Sequence, residues 1–260
     1  MSESTLSISY GDLQIEVGRF LGYNADLSKW SDSQAEEVDR YIQAGIRQFY
    51  YPPAVENVEP GYDWSFLHPT GTLTTVDGEG SQDLSDDLGR IVGDLHFDPT
   101  VHVPSITLVS ENMILVMQER NSSKGPPKHA AVRSKAGTTE YEGQRQEILL
   151  WPVPDKAYTL EFNYEAYSGK LTQLRPYPLG GMKHSELIVE SCISVAEQRA
   201  NDERGLHWES FSRLLASAVA IDRKNGARYF GQMGCGELPN VGRVRRGGGS
   251  YPISYKGVTW

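Results

Sequence analysis

The sequence has only two cysteines, Cys192 and Cys235, in 260 residues. Their distant placement gives neither a disulfide framework nor the spacing of a metal clamp, so both read as free thiols. Cys192, inside a helical pattern, reads as a small core side chain. His68, His96, His102, His129, His184 and His207 are scattered and form no His-x-x-x-His pair, which argues against a dedicated zinc site. No run approaches the roughly 18 apolar residues of a membrane span. The start MSESTLSISYGDL lacks the basic and apolar regions of a secretory leader, so synthesis in a cytosol is expected.

Motifs for catalysis are missing as well. There is no Gly-x-x-x-x-Gly-Lys cradle, no Gly-x-Gly-x-x-Gly between a strand and a helix, and no Gly-x-Ser-x-Gly elbow. Ser185 and Ser191 lie on helical patterns, where a nucleophile would not be presented in that way. Asp86 and Asp87 are adjacent; on a strand they would point to opposite faces, and in a turn they would simply be solvated. Gly247 to Gly249 read as linker, since the nearest basic residues precede them. The sequence therefore predicts no catalytic residue, no cofactor site and no metal site.

What is present is an uneven charge. The chain carries −9 overall, yet residues 226–260 hold five Lys/Arg against one Glu, a net of +4 that leaves −13 for residues 1–225. An acidic body with a basic arm favours self-association. The arm is rich in glycine and cannot bury enough apolar surface to fold alone, so it must be either disordered or docked. Tyr229, Phe230, Tyr251, Tyr255 and Trp260 favour docking. Arg243, Arg245 and Arg246 suit bidentate contacts to carboxylates or phosphates, and the acidity of the body favours an acidic protein surface over nucleic acid. Trp260, at the end of a polar arm, reads as an anchor for a partner's pocket. Arg243, Arg245, Arg246, Tyr251, Tyr255 and Trp260 are thus the candidate partner-binding residues.

Periodicity divides the rest. Leu13, Val17 and Phe20 mark a short helix over residues 10–21, with Gly22 at its end. Ser31 and Gln34 form a capping-box pattern opening a longer helix, with Val38, Ile42, Ile46 and Phe49 in a stripe and Pro52-Pro53 as the stop. Trp30 is placed to staple the first turn of that helix. Residues 62–167 turn to short alternating runs. Trp64, Phe66 and residues 70–76 lead to a hairpin turn at Asp77-Gly78. Residues 105–118 split at Glu111-Asn112 into another strand pair, and residues 147–151 and 158–164 are the strongest strands. Leu187, Ile188, Cys192, Val195 and Ala196 mark a third helix. Trp208, Phe211, Leu214, Leu215, Ala218 and Ile221 mark a fourth, antiparallel to the third. Trp64, Trp151 and Trp208 occupy core positions.

The expected fold is α+β: a four-helix unit from N- and C-terminal helical hairpins, an inserted antiparallel β-sandwich or barrel block, and an extended C-terminal arm. The corresponding boundaries are 1–57, 58–170, 171–225 and 226–260.

Several segments in this order resemble the head-to-tail adaptor proteins of tailed bacteriophages, including the tail tubular protein A type. They are Gly18-Arg19-Phe20-Leu21-Gly22, Trp30-Ser31 with Gln34, and residues 45–53 (GIRQFYYPP). Leu84 to Arg90, residues 149–160 (LLWPVPDKAYTL), read as paired closing strands, and Tyr177 to Gly181 follow. The resemblance covers most of residues 10–224. It implies a structural virion protein in a ring, commonly of twelve copies, between portal and tail proteins, with DNA passing through the channel without sequence-specific binding. It further implies a place in the virion neck, a role in genome ejection, synthesis in the host cytoplasm, and no catalytic residues, cofactor or membrane contact. Two other classes stay open. A β-sandwich binding module, such as one for carbohydrate, would cluster exposed aromatics on the strand block, with Tyr62, Tyr141 and Tyr167 as candidates. A hydrolase would gather dispersed acid and base groups in a deep pocket.

Overall fold

The computed structural model describes residues 3–55, 58–121, 123–135 and 145–226, together with two short strands at 254–255 and 258–259. Helix α1, Tyr10–Phe20, opens with a capping box in which Ser9 accepts from the Asp12 amide and Asp12 accepts from the Ser9 amide at 3.0 Å. It closes at Leu21, and Gly22 takes φ +79°, a conformation that favours glycine. Helix α2, Asp32–Tyr50, repeats the device with Ser31 and Gln34. Its stripe of Val38, Ile42, Ile46 and Phe49 is buried.

Helix α4, Ser185–Asn201, crosses α2 closely. A Cβ at Gly45 would come within 2.5 Å of the Cys192 Cα, and the Ser191 hydroxyl donates to the Gly45 carbonyl at 2.8 Å. Cys192 is fully buried, as a core side chain should be. Helix α5, Leu206–Gly226, returns along α4 with Phe211, Leu215 and Val219 inward. Ile221 is instead exposed, because the 211-215-219 spacing brings Asp222 to the inward position. The four helices share one core with Trp64 and Leu171.

Between these helical parts lie two sheets. Strands β1 (Thr70–Thr74), β7 (Thr159–Ala166) and β3 (Leu88–Phe97) form one, in the order β1-β7-β3. Strands β2 (Ser81–Asp83), β6 (Arg145–Trp151), β5 (His129–Lys135) and β4 (Thr107–Leu108) form the other, in the order β2-β6-β5-β4. Leu95, Phe97, Leu160 and Phe162 from the first meet Ala130, Ile148 and Leu150 from the second in a shared core. The arrangement is an open sandwich, not a closed barrel. Every ladder in the two sheets is antiparallel except that of β4 and β5.

The structure differs from the sequence expectations at four points. Residues 105–118 give one short strand, β4, and then helix α3, Glu111–Arg120, which covers the outer face of β5 and β6 through Ile114, Ala131 and Leu149. Its Met, Leu, Gln, Glu and Arg residues favour helix, and only one inward side chain was needed. Asp77-Gly78 does form a turn, with Gly78 at φ +81°, but the chain changes sheets there: β1 pairs with β7 and β2 with β6. Likewise β6 and β7 are not paired with each other but lie in different sheets. Trp64 precedes a 3-10 turn, Ser65–Leu67, that contains Phe66, and Trp64 is buried in the helical core.

The other described tryptophans lie nearer the surface. Trp151 and Trp208 are half-buried at the margins of their cores. Trp30 lies over Gly18 of α1, where a Cβ would come within 2.4 Å of its ring. Residues 227–260 form a separate unit in which β8 (Ser254–Tyr255) pairs antiparallel with β9 (Val258–Thr259).

Candidate interaction surface

The chain leaves β7 and returns to the helices through residues 167–171, and two polar clamps fix its course. The Tyr167 amide donates to the Asp87 carbonyl at 2.7 Å. Further on, the buried Gln43 carboxamide donates to the Leu171 carbonyl at 2.8 Å and accepts from the Leu171 amide at 3.2 Å. A buried amide satisfied in both directions holds a backbone register firmly. Gly89 makes room for Tyr167, since a Cβ there would come within 2.5 Å of the tyrosine ring.

Between the clamps, Tyr167, Ser168, Gly169 and Lys170 are exposed. They form one wall of a cleft of about 520 Å³ whose other wall is the last turn of α2, with Ile46, Arg47, Tyr50 and Tyr51. Tyr51 and Tyr167 meet edge to face, with ring centroids 6.5 Å apart. Burial raises the Tyr51 phenol to about 12, assisted by the negative charge of Glu165, by Tyr167 and by Asp63. The Tyr51 phenol therefore stays neutral near pH 7, and both rings, half exposed, are suited to gripping an apolar or aromatic group.

The charges at this cleft differ from those on the β block. There Arg90 bridges Asp63 at 3.1 Å and Glu165 at 2.8 Å, Lys135 meets Asp83 at 2.8 Å, and Arg133 meets Glu147 and Glu111. Arg47 and Lys170, both exposed, have no carboxylate partner among the described residues. Two free cations beside paired tyrosines, on an acidic body, are suited to an anionic group carried next to an aromatic one.

A second cluster ties the segment before β1 to the last helix. The Asp222 carboxylate accepts from the Tyr62 hydroxyl at 2.9 Å, the Ser65 amide at 3.1 Å and the Ser65 hydroxyl. Beside it the His184 ring packs against Phe49, Trp64 and Phe66 at centroid distances of 5.7, 5.3 and 5.2 Å. Burial lowers its pKa; Asp222 opposes that shift and Lys183 adds to it.

Of the candidate partner-binding residues, Arg243, Arg245, Arg246, Tyr251 and Trp260 lie outside the described residues. Tyr255 lies in β8, opposite Val258, and only its backbone is described. Of the aromatics proposed for a binding face, the two described ones, Tyr62 and Tyr167, do not gather on the strand block. Tyr62 packs edge to face on Trp64 in the helical core, Tyr167 lines the cleft, and Tyr141 lies outside the described residues. Asp86 is exposed in its turn, but Asp87 is half-buried and accepts from the Tyr164 hydroxyl at 3.1 Å.

His68 and His207 each pair with one carboxylate, Asp63 at 3.0 Å and Glu190 at 2.9 Å. Among the described residues no group of three or more His, Cys, Asp or Glu side chains could hold a metal ion. Among them, too, no helix is long and apolar enough to cross a membrane. Arg47, Tyr51 and Lys170 escaped the sequence reading. The one local signal was Arg47 and Tyr51 at i,i+4, ahead of Pro52, while the approach of Lys170 needs the whole fold.

The family model described as SU10 adaptor protein matches residues 8–233. No curated protein matches the sequence. The match runs through all four helices of the shared core and both sheets, and stops before Arg243. On that match, which spans most of its length, the chain belongs to the SU10 adaptor protein family.

Proposed function

We propose that this chain is a structural head-to-tail adaptor of a tailed bacteriophage, of the tail tubular protein A kind, placed in the virion neck between the portal and the tail proteins. The observation that carries the reading is the unbroken family match from residue 8 to residue 233, which takes in the helical and β parts together. Copies would form a ring, of twelve in the common arrangement, around the channel through which DNA leaves the capsid. A body of net charge −13 over residues 1–225 would let DNA pass without sticking. Residues 1–57 and 171–225 would serve as the helical parts of each copy, 58–170 as the β domain facing tail components, and 226–260 as the arm.

The arm would use Arg243, Arg245, Arg246, Tyr251, Tyr255 and Trp260 to hold an acidic surface on a neighbouring copy or on the portal. Fully extended, its 35 residues reach at most about 120 Å. Repeated around a ring, weak arm contacts gain from an effective concentration on the order of millimolar. Mass measurement and low-resolution imaging of the protein, with and without its portal, test the reading. Rings that appear on the portal support it. A protein that neither binds the portal nor forms rings refutes it.

A further inference from the structure

The cleft beside Tyr167 is suited to an occupant that carries carboxylates next to an aromatic ring. Its walls offer Tyr51 and Tyr167, and its cations Arg47 and Lys170 have no carboxylate partner among the described residues. The backbone amides of Ser168, Gly169 and Lys170 also make no hydrogen bond among those residues, so an extended chain could pair with this edge. The basic C-terminal arm is a poor occupant, because Arg243, Arg245 and Arg246 would meet like charge.

One segment of the sequence has the required chemistry. Glu140-Tyr141-Glu142 lies between β5 and β6, whose last pairing before it is Lys135 with Arg145. Its two carboxylates flank a tyrosine, matching two cations beside two tyrosines. We propose that Glu140-Tyr141-Glu142 of one copy seats in the Arg47, Tyr51, Tyr167 and Lys170 cleft of a second copy. The ring packs against the exposed faces of Tyr51 and Tyr167, and the carboxylates take Arg47 and Lys170. The contact is heterologous, with different surfaces on the two sides, the kind that closes rings when the rotation permits. It rests on the adaptor reading only in supposing that copies stand side by side.

Self-seating is the rival arrangement, because the hairpin root is near its own cleft: Gln146 donates to the Gly89 carbonyl at 2.6 Å, and Gly89 adjoins Tyr167. The full chain carrying Tyr141→p-benzoylphenylalanine, mixed with an isotope-labelled copy lacking the photoprobe, separates the two. Irradiation is carried out on concentrated free protein and on portal-bound protein. The expected product joins position 141 to the labelled copy at Tyr51 or Tyr167. Arg47→Glu with Lys170→Glu in the labelled copy lowers its yield roughly tenfold or more. Glu140→Lys with Glu142→Lys in the probe copy then restores it. Cross-links confined to the probe copy itself, or none at the cleft in either sample, overturn the proposal. Rings imaged on the portal without this cross-link would leave the adaptor reading standing and remove the contact alone.

Discussion

A methyl group at Gly45 has no space, since the Cys192 backbone lies where it would go. Gly45→Ala should therefore lower stability by about 1–3 kcal/mol despite the better helix propensity of alanine. A fall in the urea midpoint with an unchanged slope checks it. His184 gives a pH dependence. Its folded pKa lies below the ordinary value of 6.5, so the unfolded chain binds the proton more readily. Its contribution is full above the unfolded pKa and is lost as the pH falls through 6.5 towards the folded pKa. Asp222 reduces the effect and Lys183 reinforces it. Denaturation curves from about pH 7.5 to about pH 5.5 should show a smaller loss for His184→Phe, which keeps an aromatic ring against Phe49, Trp64 and Phe66. An equal loss in both proteins would assign the acid sensitivity to other groups.

Among the elements, side chains distant in sequence fix the joins. Asp222 on α5 holds the turn at Ser65 by three hydrogen bonds, so Asp222→Ala should cost about 2–4 kcal/mol. Amide exchange at Ser65 should accelerate more than exchange in β6, and uniform acceleration would mean global destabilisation instead. Capping explains why α1 and α2 were legible: Ser31 with Gln34 and the terminal Gly22 are local signals whose hydrogen bonds close within a few residues. Helix α3 was not legible. Apolar residues surround it, with Met113, Leu115 and Val116 exposed and only Ile114 buried, so the pattern offered no 3.6-residue stripe. Strand β6 reads as a continuous apolar run because Ile148 and Leu150 face the sandwich core while Leu149 faces α3. A strand covered on both faces does not disclose its partner, which is why β6 and β7 looked paired.

For the whole molecule, the family match and the charge division bear on different parts. The match covers residues 8–233, and four of the arm's five basic residues, all but Arg228, lie beyond it. Deleting residues 251–260 should weaken assembly on the portal while leaving the melting temperature of the folded unit within about 1–2 °C. A large drop in that temperature would show the segment to be structural. The sequence by itself determined the limits of α1 and α2, the four apolar stripes apart from Ile221, the two strongest strands and the −13 to +4 split, because each depends on neighbours a few residues away or on composition alone. Only the tertiary structure decided which strands share a sheet, that Asp77-Gly78 passes between sheets, and that Lys170 stands opposite Arg47 and Tyr51. Those facts rest on contacts such as Gln43 with Leu171, 128 residues apart, and no local pattern carries the geometry of so distant a pair.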